Sequence, residues 1–126
     1  MRTRLIKKPN FNEILKLSNI FILENPIDIN DYKNIIEFYD EDDNLIGFIN
    51  YIESVYLKNT KTYIKNINFT DKKYLDIMIK LMIDLMKKKK YSYTFINSEK
   101  NFFDKYLLNI LKLNEFVGDD FLFLNL

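Results

Sequence analysis

The side chains available for chemistry in this sequence are carboxylates, ammoniums, phenols, hydroxyls and amides, because its 126 residues include no His and no Cys. Imidazole is excluded as base or ligand, and thiolate as nucleophile, together with disulfides and the usual zinc sites. Glu37 and Glu53 stand in or beside strand-like runs, where a carboxylate acts as a general base or faces solvent. Asp40, Glu41, Asp42 and Asp43 crowd acids together, but the spacing lacks the Gly and distal Glu of a calcium loop. A hairpin turn is expected there, and no metal. Asn66 and Asn68 alternate along one strand face, either to receive a ligand or as ordinary polar positions. Tyr91, Tyr93 and Phe95 share a face that reads as the core side of a strand rather than a base-stacking platform. Lys87 to Lys90 read as the solvated end of a helix. Nineteen basic residues against eighteen acidic ones give a net charge of +1, which provides no general pull toward nucleic acid.

Elements must hold these groups in place. Residues 3–8 alternate like an edge strand that stops at Pro9. Asn10 is a good N-cap for a helix in which Phe11, Ile14, Leu15, Leu17, Ile20 and Phe21 recur at helical spacing until Asn25-Pro26. Residues 27–34 read either as a short helix or as a loop. Residues 35–40 and 45–52 are two β-rich runs around the acidic turn, and 63–69 follows as a third strand after a turn at Asn59-Thr60-Lys61. The most definite element is a helix over 71–90, interrupted only by the polar stripe Asp76, Lys80 and Asp84. Its narrow stripe predicts that Leu75, Met78, Leu81, Met82 and Leu85 are deeply buried. Ile77, Ile79, Ile83 and Met86 then need a second cover: the last helix, the N-terminal helix or a second copy of the chain. A strand over 91–97, a helix over about 99–113 and a strand over 121–126 complete the order. No repeat or low-complexity linker marks a boundary, so one domain spanning 1–126 is expected.

Composition bears on origin and compartment. Ala is absent while Asn, Ile, Lys, Phe and Tyr abound, a bias that reads as an AT-rich genome. No signal peptide and no run approaching eighteen apolar residues is visible, so a cytoplasmic protein without a membrane partner is expected. The two glycines, Gly47 and Gly118, are the only positions for glycine-dependent backbone. Gly47 lies inside an apolar strand, where Gly weakens pairing unless something must come close. That something is either an acyl acceptor or a neighbouring helix.

The order of elements resembles the GNAT N-acetyltransferase fold. IIEFYDEDDNLIGFINYI (35–52) is similar to the family's second and third strands, with Ile46-Gly47-Phe48 as the apolar-Gly-Phe step. TYIKNINF (62–69) resembles the fourth strand, and ILKLNEFV (110–117) the segment joining the last helix to the next strand. The resemblance implies a central mixed sheet, an antiparallel meander plus a parallel β-α-β unit, with helices on both faces. It also implies an acyl-CoA-dependent N-acetyltransferase that acts on a small-molecule or protein amine by direct transfer, without metal. Acetyl-CoA would then meet the backbone of Ile67, Asn68 and Phe69. Its pyrophosphate would meet Lys72 and Lys73 at the opening of the long helix, with Tyr74 beside them. Glu53 or Glu37 would be the base. Family members open that helix with an Arg- and Gly-rich loop; here the place reads Thr70-Asp71-Lys72-Lys73-Tyr74. The place of the family's general-acid Tyr falls on Leu111, and Glu115 replaces a Gly. The altered loop supports a second reading, a catalytically inactive GNAT-like module that binds a host protein, as a phage or accessory protein would.

Overall fold

A computed structural model describes residues 1–56, 59–97, 115–117 and 121–125. The helix expected over about 99–113, and with it Leu111 and Gly118, lies outside the described residues.

The N-terminal strand β1 (Arg2–Lys7) leads into α1 (Phe11–Ser18). Asn10 starts that helix in both directions: its Oδ1 accepts from the Glu13 N–H at 2.9 Å, and Glu13 Oε1 accepts from the Asn10 N–H at 3.1 Å. This reciprocal capping satisfies two backbone donors that the first turn would otherwise leave unpaired. The helix ends at Ser18, well before Asn25-Pro26. Ser18 turns its hydroxyl back onto the Leu15 carbonyl at 2.6 Å, and Asn19 caps the end. Phe21 is still buried from the loop beyond it, which accounts for a helical spacing that outruns the helix. Residues 27–34 resolve into a single 3-10 turn at Ile29–Asp31, capped by Asp28.

The meander follows: β2 (Asn34–Tyr39), β3 (Leu45–Tyr56) and β4 (Asn59–Phe69), paired antiparallel in series with β1 at the β2 side. The expected turn at 59–61 is strand instead, since β3 and β4 pair out to Tyr56 and Asn59. After a 3-10 turn at Lys72–Tyr74 comes α2 (Leu75–Lys88), shorter than the 71–90 span expected. Then β5 (Tyr93–Asn97) lies parallel to β4, and β6 (Glu115–Val117) and β7 (Phe121–Asn125) complete a sheet of order β1-β2-β3-β4-β5-β7-β6. A strand, a helix and a parallel neighbour strand form the crossover unit that the long helix implied.

Two cores occupy opposite faces of the meander. Ile36, Phe38, Ile49, Tyr51, Ile64 and Ile67 pack beneath α2, whereas Ile35, Tyr39, Leu45 and Phe48 pack beneath α1 with Ile14, Leu17 and Phe21. Strand alternation divides these sets, and both faces are covered. The sheet-facing stripe of α2 is Leu75, Met78, Ile79, Met82 and Met86, all 0% exposed. Leu81 and Leu85, expected among the deepest, flank that stripe and are only partly buried, as is Ile83. Ile79 and Met86 need no further cover, and α1 could not supply it from the other side of the sheet. Ile77 is the outward residue, 40% exposed. The Asp76–Lys80 pair forms at 3.4 Å.

Gly47 owes its identity to α2. A Cβ there would stand 2.5 Å from Met78 Cε, 2.6 Å from Met78 Sδ and 2.8 Å from the Asn68 carbonyl oxygen. The thioether can swing aside, but the carbonyl belongs to the neighbouring strand and cannot. Gly47→Ala is therefore expected to cost about 1–3 kcal/mol through overpacking, measured as a lower urea midpoint. An unchanged midpoint would show that the ladder yields at no cost.

The acidic run makes the β2–β3 turn. Asp40 Oδ1 accepts from the N–H groups of Asp42 and Asn44, both at 2.9 Å. The bond from the Asn44 backbone is the main cause holding the Asp40 carboxyl below its ordinary 3.8. A folded-state value below the unfolded one means this contribution is present above about pH 4 and is lost as pH falls through the folded value. Asp40→Ala is expected to lower stability at pH 7 and to converge with the parent as pH falls below the folded-state value, as followed by thermal melts from neutral to acid pH.

Candidate functional site

The feature that organises the site is a change of partner along β4. On one side β4 pairs with β3 throughout, but the register steps from Asn50–Asn66 to Tyr51–Ile64, leaving Lys65 as an extra residue. A bulge of this kind bends its strand and increases local twist. On the other side the parallel pairing with β5 runs only from Lys61–Tyr93 to Ile64–Ile96 and stops where the bulge begins. From Lys65 to Phe69, β4 has no pairing with β5 among the described residues. The chain continues through Thr70, whose N–H is bonded to the Ile46 carbonyl at 2.9 Å, into the opening turn of α2. A crevice between parallel strands, with a helix N-terminus at its mouth, is where open α/β sheets receive ligands.

The residues expected to meet a coenzyme lie at the end of β4 and in the turn that opens α2. Ile67 is buried in the α2-side core, and Phe69 packs against that core. Asn68 lies on the opposite face, half-buried. Lys72 and Lys73 are exposed at the mouth, and Lys73 Nζ sits 5.1 Å from the ring centroid of half-buried Tyr74. Asp71 caps this turn: its Oδ1 accepts from the Lys73 N–H at 2.9 Å. One amide that a phosphate could use is thus held by an internal carboxylate.

The two carboxylates expected as bases lie elsewhere. Glu37, on β2, is separated from β4 by β3, and its side chain is 2% exposed. It accepts from the Tyr39 hydroxyl at 2.9 Å and lies 3.7 Å from Arg4 and 4.0 Å from Lys16. A buried carboxylate needs such partners, because the desolvation cost of an unpaired one exceeds several kcal/mol. Glu53 is opposite Thr62, on the closed side of the bulge, and is exposed. It accepts a short hydrogen bond from the Tyr91 hydroxyl. Burial first, and then this bond, push the Tyr91 phenol far above its ordinary value. A hollow of about 520 Å³ adjoins Glu53, with Lys7, Lys8 and Lys33 on its rim. The structure brings Glu37 and Glu53 neither to each other nor to the crevice.

On the α1 side of β4 is a feature that the sequence did not announce. Loop residues 24–32 and the bulged part of β4 enclose a cavity of about 300 Å³. Asn66 lines it, and its Oδ1 accepts from Asn50 Nδ2 at 3.0 Å; Asn50 Nδ2 also donates to the Asp31 carbonyl at 2.8 Å. This buried amide pins the loop to the sheet. The density of acids in 24–31 was visible in the sequence; what placed them against β4 was the bulge and the Asn50 bonds.

No model of a known protein family matches this sequence, and no curated protein matches it either. Solved structures do. The NatC complex bound to Gag peptide and CoA contains a chain that aligns over 100% of this one and 99% of its own length, with a TM-score of 0.62 and 14% identity. The fold is GNAT-like. An aminoglycoside acetyltransferase from an uncultured soil metagenomic sample, in complex with trehalose, aligns over 92% of this chain and 91% of its own, at TM-score 0.58 and 14% identity. A mutant of the BH1408 protein from Bacillus halodurans aligns over 91% and 94%, at TM-score 0.54 and 13% identity. The mixed sheet expected from the order of elements is thus present, with helices on both faces. No helix among the described residues is long and apolar enough to cross a membrane.

Proposed function

We propose that this chain is an acyl-CoA-dependent N-acetyltransferase that transfers an acetyl group directly to an amine. The observation that carries the reading is the stretch of β4 after the bulge at Lys65, which is unpaired with β5 among the described residues and leads into the opening of α2. Under this reading the Ile67–Phe69 segment pairs with the extended pantetheine arm as an added strand would. Lys72, Lys73 and the amides opening α2 face the pyrophosphate, with Tyr74 flanking them. The thioester supplies an activated acyl carbon. An ammonium acceptor first gives up one proton; the neutral nitrogen then adds to that carbon, the carbon–sulfur bond breaks, and the products are an amide, a thiol and that one released proton. Glu37 and Glu53 are engaged by Tyr39 and Tyr91, so the proton is assigned to water reaching the open cavity rather than to either carboxylate. Such chemistry needs neither His nor Cys. The coenzyme A in the NatC structure and the acetyltransferase activity of the metagenomic relative support the assignment.

The test is calorimetric titration of acetyl-CoA at low ionic strength, paired with a thermal melt. Saturable heat and a raised melting temperature are expected, because a ligand bound only to the folded state stabilises it. No heat and no shift at millimolar coenzyme would remove the proposal. The second reading, an inactive module that binds another protein, is favoured by one observation, the Asp71 carboxylate already bonded to the Lys73 amide. A protein that ignores acetyl-CoA in this experiment would take that second reading.

A further inference from the structure

The cavity beside the crevice has a definite charge. Glu24, Asp28 and Asp31 bring three carboxylates to it, and Lys65 brings one ammonium, 3.7 Å from Asp31 Oδ1. Three acids against one base leave the lining at a formal −2. Asp28 and Asp31 have structural tasks within the loop, but Glu24 forms no ion pair with any described residue. Two phenols, Tyr32 and Tyr63, complete the lining. Tyr32 is the more telling, being only 7% exposed. Its hydroxyl bonds to no described residue but is not sealed from solvent, so it stands open to water or a ligand in the cavity. Burial, followed by the charges of Asp31 and Glu24, raises the Tyr32 phenol above its ordinary value. The carboxylates are therefore felt at that hydroxyl, and it remains protonated.

Size narrows the occupant further. About 300 Å³ is at the small end of ligand sites, adequate for a linear chain and confining for a molecule of several rings. Acidic walls reject phosphates and carboxylates, whereas aromatic faces and carboxylates together suit alkylammonium groups. Position matters equally. Lys65 and Asn66 line the cavity and directly follow Ile64, the last β4 residue paired with β5 among the described residues. An amine held here borders the crevice.

We propose that this cavity binds a linear polyamine carrying at least two ammonium groups, and that the polyamine is the acyl acceptor. The proposal rests on the acetyltransferase reading for the second of those statements alone. One nitrogen arrives neutral, having released its proton to water, and the remaining ammoniums are held by Glu24 and Asp28.

Spermidine is the probe, titrated into the full chain without coenzyme. One equivalent is expected to bind, at least tenfold more tightly than butylamine, which has a single ammonium. Glu24→Gln combined with Asp28→Asn is expected to weaken spermidine binding at least tenfold. Asn at 28 still offers an oxygen to the Asn30 N–H, so the unliganded melting temperature should stay within a few degrees. Tyr32→Phe should weaken binding about threefold with the fold likewise retained. Equal affinity for butylamine and spermidine, or equal binding of spermidine by parent and double variant, would overturn the polyamine site. Acetyl transfer to a peptide amine with spermidine unbound would also overturn it, while leaving the acetyltransferase reading intact. Spermidine bound tightly by a chain that takes up no acetyl-CoA would do the reverse: the site stands and the acceptor role falls.

Discussion

Met82→Asp is expected to unfold the protein under conditions in which the parent is folded. Met82 is 0% exposed and lies on the stripe of α2 that faces Ile49, Tyr51 and Ile64. The substitution removes a buried thioether side chain, whose burial contributes about 1.5–3 kcal/mol. It also leaves a carboxylate in an apolar site, at a cost of several kcal/mol more. A domain of this size has only about 5–15 kcal/mol in total, so the two effects together consume most of its stability. A fall in melting temperature of about 15 °C or more, or loss of the cooperative transition, is the expected result. Met82→Leu should stay close to the parent, because similar volume is the best tolerated change in a core. If the Asp variant melts within a few degrees of the parent, α2 does not pack on the sheet as described.

Charge reversal at Lys72 and Lys73 is expected to abolish measurable acetyl-CoA binding. Both residues are exposed at the turn that opens α2. Two positive charges there would become two negative ones, beside Asp71 and Asp76. Contacts of this kind are mainly electrostatic, so the parent itself should lose affinity steeply between low and physiological salt. The fold should be unaffected, since exposed Lys and Glu are both helix-tolerant. Reversal of Lys87 and Lys88, at the far end of α2, is the control and should leave affinity within about twofold. Asp71→Gly should act in the opposite direction. It frees the Lys73 amide now bonded to Asp71 and, as a cap, Gly costs only a few tenths of a kcal/mol. If calorimetry finds neither substitution alters binding, coenzyme recognition at this helix is wrong and the interaction-module reading replaces it.

How far the site could be read in advance depended on how local its cause was. The Asn10 cap, the Asp40 turn and the Asp76–Lys80 pair act over two to four residues, and each was expected from adjacent letters. Gly47 was recognised as a position requiring close approach, yet the approaching group, Met78, comes from an element thirty-one residues downstream. Glu37 read as a strand carboxylate open to catalytic use. Its partners Arg4 and Lys16 come from β1 and α1, so only the packed molecule shows a buried charge held in place. Asp28 and Tyr32 lie in 27–34, which has no periodicity to read, and Glu24 lies in a run whose helical spacing outlasts the helix that ends at Ser18.

By itself, the sequence determined the chemistry that is unavailable, the order of most elements and the apolar face that drives α2 onto a sheet. These follow from residue type and from the periods of 2 and 3.6, which each segment carries within itself. The tertiary structure alone decided where β4 steps out of register with β3, because a bulge is a mismatch between two strands and no single strand contains it. It also decided that a loop of acids stands against that bulge. Asn50 holds the loop there through a hydrogen bond to Asp31, nineteen residues away in the chain. Contacts of that range have no local signature; the candidate acceptor cavity exists only once the sheet has assembled.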